Sequence, residues 1–381
     1  MPRYCACCLL PDSRPGVVLD PDGVCGGCRN AERKRRMDWS ERAAAFAAVA
    51  EHARSRGRQY DCVIPVSGGK DSFWQVVTCL EHQLHPLCVS WVCPGRNELG
   101  RRNLAQLGAL GVDVMEFRLD PQVERRLVDR TFRRTGISGL VLHMAIYRWP
   151  MQVALAHQIP LVVYGENSAF EYGSADESLT GALVDARWLK SFGVTAGTEV
   201  EHWIGPELSA RQLSPLRLPP AAELAASGIR AVFLGWYFPW DPEHSRRIAT
   251  AHGFRARAEG PRIGHYDFVN IDDDMIGVHH HPKWHKFGIT RTWDTLSMEI
   301  RAGRMTRAAA MAQLQSRGVE TPWDDIRVFC DYLGMAPDEY WRIVEGFRNR
   351  DLWRRRDGRW VIEDFLLPDF PWPADQVAHD H

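Results

Sequence analysis

Residues 63–75 read VIPVSGGKDSFWQ. An apolar run enters, Ser67-Gly68-Gly69-Lys70-Asp71-Ser72 interrupts it, and an apolar run leaves. The entering stretch, Cys62 to Val66, is short and apolar, which suits a buried strand. The leaving stretch, Ser72 to Gln83, reads as a helix. A glycine loop between a buried strand and a helix sits at the carboxyl edge of a sheet, where open α/β folds bind ligands. Two glycines let the backbone come close to an anion, and the helix start offers free amides and a partial positive charge. Lys70 adds a full charge. Asp71 is unsuited to holding phosphate alone but suited to helping hold magnesium. The loop does not follow G-x-x-x-x-G-K-[ST], so γ-phosphate transfer is not the expected chemistry.

The same strand-then-helix alternation continues on both sides of this loop. Strands are expected at PLCVSWV (86–92), VDVMEFRL (112–119), PLVVYG (160–165) and IRAVFLGWY (229–237). Helices are expected over 97–111, over 121–136, and over 140–159 with a kink near Pro150. Short apolar strands separated by helices predict an α/β fold built on a doubly wound parallel sheet. Gly165 and Glu166 follow a later strand and reach the same carboxyl edge.

The first thirty residues follow another logic. Cys5, Cys8, Cys25 and Cys28 form C-x2-C-x16-C-x2-C, within the range of a tetrahedral zinc site. Cys7 is a spare that leaves the choice within the first pair ambiguous. Four thiolates make a closed site, so the zinc is expected to be structural. A segment this short builds no core, and the metal would hold it together. The basic run RNAERKRRMDW is expected to begin a solvated helix, with Ser40 as a possible cap of its continuation. The division predicted is a zinc-binding knuckle at 1–36, a linker helix at 37–58, a nucleotide-binding domain at 59–240 and a mostly helical region at 241–381.

Composition narrows the function classes. The chain has 381 residues, 45% apolar and 25% charged, with a formal net charge of −1. No basic surplus supports a broad nucleic-acid footprint. No segment approaches the roughly 18 apolar residues of a membrane span, and the N-terminus lacks a secretory pattern, so a cytoplasmic protein is expected. Fifteen tryptophans read as core and interface packing, with Trp323, Phe329, Tyr332, Trp341 and Phe347 in a helical core. The tail from Leu366 is rich in Pro and Asp and is expected to be irregular.

SGGKDS after a first strand resembles the PP-loop of the ATP pyrophosphatase superfamily. The resemblance implies that Ser67, Gly68, Gly69, Lys70, Asp71 and Ser72, with Gly165, grip ATP, and that AMP is transferred to a substrate oxygen. Lys70, Asp71 and Glu166 become the expected catalytic residues, with Glu166 a magnesium or substrate contact. Further on, Lys286-Phe287-Gly288, Arg291, Asp294, Ser297, Ile300-Arg301, Gly303 and Arg304 form a string that resembles the N-acetyl sugar amidotransferase family of the WbpG and PseA type. That family places cysteine pairs, SGGKDS and this string in the same order. The resemblance implies an acetamido substrate activated by ATP and attacked by ammonia. It also implies a separate glutaminase subunit and an ammonia-channelling, cyclase-like subunit.

Several residues keep more than one reading. Lys283, Lys286, Arg291 and Arg301 are expected to hold the diphosphate or carboxylate of a nucleotide sugar, the alternative for the arginines being helix-surface ion pairs. His279, His280, His281 and His285 read as a metal site, as substrate contacts or as a solvated loop. A PP-loop sulfurtransferase is the alternative function, with Cys93 as the one candidate sulfur carrier. Cys62, Cys79 and Cys88 sit in apolar runs and read as core. The implied cofactors are ATP, Mg2+ and Zn2+. The stretch 171–220 has no clear pattern and suits a lid or substrate loop.

Overall fold

The structure is a computed structural model that describes residues 1–373. Five strands, β1 (Cys62–Pro65), β2 (Pro86–Trp91), β3 (Asp113–Phe117), β4 (Leu161–Tyr164) and β5 (Arg230–Phe233), form one sheet in the order β3-β2-β1-β4-β5. Every neighbouring pair is parallel. The fold is therefore α/β with a parallel sheet, as the alternation predicted. A parallel sheet covered on both faces needs strands that are apolar throughout, and all six residues of β2 are buried. The two faces alternate along each strand: Ile64, Cys88 and Val163 enter one hydrophobic cluster, while Val63, Val89 and Val162 enter the other.

Connecting helices start and stop where local chemistry dictates. The Lys70–Glu81 helix joins β1 to β2, and the Glu98–Gly108 helix joins β2 to β3. The Pro121–Thr135 helix opens with Asp120, whose side chain accepts the Gln122 amide at 2.8 Å, and Pro121 follows at its first position. It closes at Gly136, in the left-handed region at φ +63°. The Leu140–Ala156 helix runs on through Pro150. Asp38, rather than Ser40, caps the Trp39–Arg56 helix, because its carboxylate accepts the amides of both Ser40 and Glu41.

Two local expectations are corrected. The stretch expected as a strand over 229–237 turns at Phe233 into a short helix, Leu234–Tyr237, because the Gly235 amide leaves the sheet direction and donates to the Gly165 carbonyl at 3.0 Å. Trp323 is not core: it is 59% exposed and lies over the ring of Trp341, while Phe329 is fully buried. The region after 260 consists of helices followed by a hairpin, β6 (Trp353–Arg356) and β7 (Arg359–Ile362), which sequence patterning did not foresee. The tail beyond Pro373 lies outside the described residues, and before it Leu367 and Phe370 are buried. No helix among the described residues is long and apolar enough to cross a membrane.

Hydrophobic clusters join segments far apart in the chain. Leu9, Leu10 and Val17 pack with Trp284, Trp293 and Trp353. Phe132 packs edge-on to Phe329 at 4.9 Å and stacks on Tyr340 at 5.5 Å, tying the sheet's flanking helices to the C-terminal helices. Phe132→Ala is expected to lower unfolding free energy by about 3–5 kcal/mol, the usual effect of deleting a buried ring, as a fall in the urea midpoint with an unchanged slope.

Candidate functional site

β1 and β4 are neighbours whose following connections leave to opposite sides, which makes the crevice between them the topological switch point of the sheet. The loop after β1 is Ser67 to Ser72, and the loop after β4 is Gly165-Glu166. The first loop is tightly self-braced. The Ser67 amide donates to the Ser72 hydroxyl at 3.1 Å, and the Gly69 amide donates to the Ser67 hydroxyl at 3.3 Å. Gly68 has φ +88°, and a Cβ there would stand 2.6 Å from the Leu104 amide nitrogen. Both the conformation and the close approach require glycine. No side chain caps the Lys70–Glu81 helix at Gly69, which leaves first-turn amides available to an anion.

Lys70 is buried, and its Nζ pairs with Asp71 Oδ2 at 2.5 Å. Trp240 fixes the other oxygen of Asp71, donating its indole N–H at 2.8 Å. Gly165 faces the side chain of buried Gln75, whose amide holds the Val163 carbonyl at 3.0 Å. Beside it, burial and the Asp71 charge push the Glu166 carboxyl up to about 7. Ser67, Gly69, Lys70, Asp71, Glu166 and Trp240 line a cavity of about 240 Å³, with Tyr266 and Phe268 as aromatic wall. A loop with a glycine at positive φ, an uncapped helix start, a buried lysine and aromatic faces suits the phosphates and base of ATP. Two carboxylates in one cavity, Asp71 and Glu166, make a fitting donor set for Mg2+.

A second cavity of about 690 Å³ opens beside the first. Glu166, Tyr172, Asn270 and Arg291 line both. The larger one is walled by cations: Arg14, Lys283, Lys286 and Arg291. Arg14, Lys283 and Arg291 all rest on one carboxylate, the fully buried Asp294, at 2.7, 2.9 and 3.5 Å. Those charges hold the Asp294 carboxyl far below the ordinary range. Lys286 has no carboxylate among the described residues; its Nζ donates to the Thr135 carbonyl and lies 4.8 Å from the Phe347 ring centre. Burial pushes both lysines down to about 8. The stretch 171–220 supplies Tyr172, Ser174, Leu179 and Phe192 to this cavity.

Sequence reasoning thus placed Lys283, Lys286 and Arg291 at one wall. It missed Arg14, His143 and Asn270, which carry no motif and arrive through tertiary packing, and it reached Tyr172 only as part of the 171–220 stretch. Arg301 is a correction. It lines neither cavity; its Nη2 lies 3.5 Å from the sulfurs of Cys8 and Cys25, and its Nη1 donates to the Glu171 carbonyl at 2.9 Å. Ten residues after Arg291 on one helix, it stands about 15 Å further along the axis. Arg304 pairs with Glu299 and Asp241, the ion-pair alternative. His281 is also elsewhere, with Nδ1 at 2.8 Å from the Tyr340 hydroxyl, whereas His279 and His280 line the larger cavity.

The cysteine cluster resolves the ambiguity of the first pair. Cys5, Cys8, Cys25 and Cys28 have sulfurs all within 4.8 Å of one another, and Cys7 is exposed. Sulfur pairs stand 3.8 Å apart for Cys5 and Cys28, and 3.7 Å for Cys8 and Cys25. A tetrahedron with Zn–S bonds of about 2.3 Å has edges of about 3.8 Å, so the donor set fits zinc. The amides of Cys8 and Cys25 point at the Cys5 sulfur, and Arg301 adds a positive charge against the thiolates. The cysteine segment reaches the wall of the first cavity through Lys34, whose Nζ bonds Glu171 and the Trp240 carbonyl.

Residues 260–366 match the family model described as LPS biosynthesis protein WbpG-like, C-terminal domain. The likeness is to that C-terminal domain alone. That WbpG-like domain contributes Asn270, His279, His280, Lys283, Lys286 and Arg291 to the larger cavity. No curated protein matches the sequence. Among solved structures, an NMN synthetase from Francisella tularensis is similar over 74% of this chain and 92% of its own, at 11% identity and TM-score 0.31. An NAD+ synthetase from Burkholderia pseudomallei is similar over 58% of this chain and 95% of its own, at 18% identity and TM-score 0.26. A predicted subunit of tRNA methyltransferase from Methanocaldococcus jannaschii covers 50% of this chain and 75% of its own, at 13% identity and TM-score 0.27. Superpositions this loose set no residue against residue.

Two outcomes test the site. Purified protein is expected to carry stoichiometric zinc by elemental analysis, and chelation is expected to lower the melting temperature and expose residues 1–36 to protease. Gly68→Ala is expected to cost about 1–3 kcal/mol of stability and to weaken ATP binding at least roughly tenfold, about 1.4 kcal/mol, by calorimetric titration.

Proposed function

We propose that this chain is an ATP-dependent, AMP-forming amidotransferase acting on an N-acetylated sugar, with a nucleotide sugar as the expected form of the substrate. The observation that carries the reading is the junction of the two cavities: a phosphate-binding loop opens, across Glu166, Asn270 and Arg291, onto a larger chamber with a cationic wall. The WbpG-like domain in residues 260–366 supports surface-polysaccharide synthesis as the setting.

An acetamido oxygen is a poor leaving group. In this reading it attacks the α-phosphorus of ATP, an O–P bond forms, and pyrophosphate departs. The helix start at Gly69 and the Lys70 charge stabilise the departing phosphates, where charge develops. Ammonia then adds to the imidate carbon, the C–O bond breaks, and AMP leaves with the oxygen. The product is an acetamidino sugar. Asp71 and Glu166 would hold Mg2+, which neutralises phosphate charge. Arg291, Lys283 and Lys286 bind the anionic part of the substrate, so that its amide lies at the cavity junction.

The sulfurtransferase alternative gains nothing from Cys93: burial and nearby carboxylates push its thiol up, away from the thiolate such chemistry uses. A glutaminase subunit and a cyclase-like channelling subunit remain part of the proposal as the ammonia supply. A cytoplasmic location goes with it, since ATP is a substrate.

Product analysis tests the reading. Incubation with ATP, magnesium, ammonium and a panel of acetamido sugars is expected to yield AMP, not ADP, and a sugar one mass unit lighter, NH replacing O. ADP, or no AMP with any donor, overturns it. Lys70→Ala is expected to lower kcat/KM by about 10²–10³.

Because Glu166 sits near 7 in the free protein, it is mostly protonated at pH 6 and mostly ionised at pH 8. Affinity for magnesium–ATP is therefore expected to rise roughly tenfold across that interval, with Glu166→Gln flattening the profile in calorimetric titrations.

A further inference from the structure

Behind the histidines lies a third, small cavity of about 40 Å³ that the proposed reaction leaves unused. It is lined by Glu124, Asp273, Cys93, Ser138 and the apolar side chains of Val128 and Phe329. His143 and His279 line both this cavity and the large one, and their rings stack 4.9 Å apart. With Ile276, that pair forms the wall the two cavities share.

Histidine nitrogens nearby lack partners, while the carboxylates are only partly satisfied. His279 Nδ1 is buried with no hydrogen bond, and so are both ring nitrogens of His280, a side chain only 6% exposed on the wall of the large cavity. Glu124 is 4% exposed; its Oε1 accepts the Trp91 indole N–H at 3.1 Å. Asp273 Oδ1 accepts the Met275 amide at 2.8 Å. Neither carboxylate has an ion pair among the described residues. Two unpaired carboxylates around a space this small fit a cation the size of a water molecule, and apolar walls exclude a hydrated one. Burial pushes Glu124 up to about 7 and Asp273 up to about 6, so both stand ready to exchange a proton near neutrality.

We propose that this small cavity is the holding site for the ammonium ion that supplies the nucleophile. Glu124 and Asp273 bind it and take its first proton, and ammonia then passes the His143–His279 pair into the large cavity. The inference rests on the amidotransferase reading and adds the donor's route and its proton acceptors. On deprotonation an N–H bond of ammonium breaks, its electron pair stays on nitrogen, and the proton goes to a carboxylate. In the large cavity that pair forms the C–N bond at the imidate carbon while the C–O bond to the adenylyl group breaks. The surplus proton on nitrogen goes to a ring nitrogen of His280. Its neutral imidazole is kept free by burial and by the charges of Lys283 and Arg291.

The test uses the full chain in two arms. Crystals grown with thallium(I) or rubidium acetate, ions of ammonium size, are expected to show anomalous density between Glu124 and Asp273. That density is expected to vanish in Glu124→Gln, which retains an oxygen for Trp91, and in Asp273→Asn, which retains the cap on Met275. Circular dichroism checks that both variants fold. Absence of density at either carboxylate in the unaltered protein overturns the site. In the second arm, AMP formation is titrated with ammonium chloride; each variant is expected to raise the KM for ammonium at least tenfold. If AMP forms and that KM moves less than twofold, the inference fails while the amidotransferase reading stands. If density appears but no donor yields AMP, the reading of the reaction fails while the cation site is supported.

Discussion

One buried carboxylate organises the large cavity. Asp294 is fully enclosed and is met by Arg14 from the knuckle's loop, Lys283 from the preceding helix and Arg291 one turn earlier on its own helix. A lone buried carboxylate is costly, and a lone buried cation is equally so; each is tolerable here because the others are present. The network also carries more positive than negative charge, and the surplus faces the cavity. Tyr172 is held into the same arrangement, with the Arg14 guanidinium 5.0 Å from its ring centre. The knuckle loop, the segment after β4 and the WbpG-like domain therefore close on one another around a single acid, and the cavity is what remains between them.

The sheet supplies the other half of the site. Between β1 and β4 the connections diverge, so two loops meet over an open crevice and need no insertion to form a site. Gln75 and Gly235 tie the two loops to the strands behind them, one through the Val163 carbonyl and the other through the Gly165 carbonyl. The zinc-type cluster is linked to the same place. Arg301 spans from the sulfurs to the Glu171 carbonyl, and Lys34 spans from the Glu171 carboxylate to the Trp240 carbonyl. Trp240 in turn holds Asp71. Four cysteines would leave no open ligand position on a metal they hold, so the cluster can act on the loop after β1 only by fixing positions.

What the sequence made legible follows from how local each feature is. Ser67 to Ser72 is readable because a strand, a glycine turn and a helix start are contiguous, and their geometry is decided within a few residues. The four cysteines are readable because the metal imposes its own spacing. Lys283, Lys286 and Arg291 were found because they stand close together in the stretch that resembles the amidotransferase family. Arg14 was not readable: nothing around it differs from an ordinary loop arginine, and its role comes from a partner 280 residues away. Arg301 was misread for the opposite reason, since its proximity to Arg291 in sequence hides a displacement along the helix. The turn from β5 into the Leu234–Tyr237 helix escaped because an apolar run of that length suits strand and helix equally.

The near-neutral composition also conceals the electrostatics that matter. A formal charge of −1 over the chain coexists with a cavity whose wall is cationic, because a sum over 47 basic and 48 acidic residues is blind to where each stands. Inside the cavity the same cations do two things at once. Lys283 and Arg291 favour an anion over a cation in the cavity, and their charges join burial in lowering the affinity of His279 and His280 for protons. A histidine next to an acid would hold its proton more tightly and offer no lone pair. Next to cations it stays neutral and keeps a lone pair. An arrangement that favours an anion is therefore also one that leaves a proton acceptor available beside it, and both properties come from placing one acid, Asp294, under three cations.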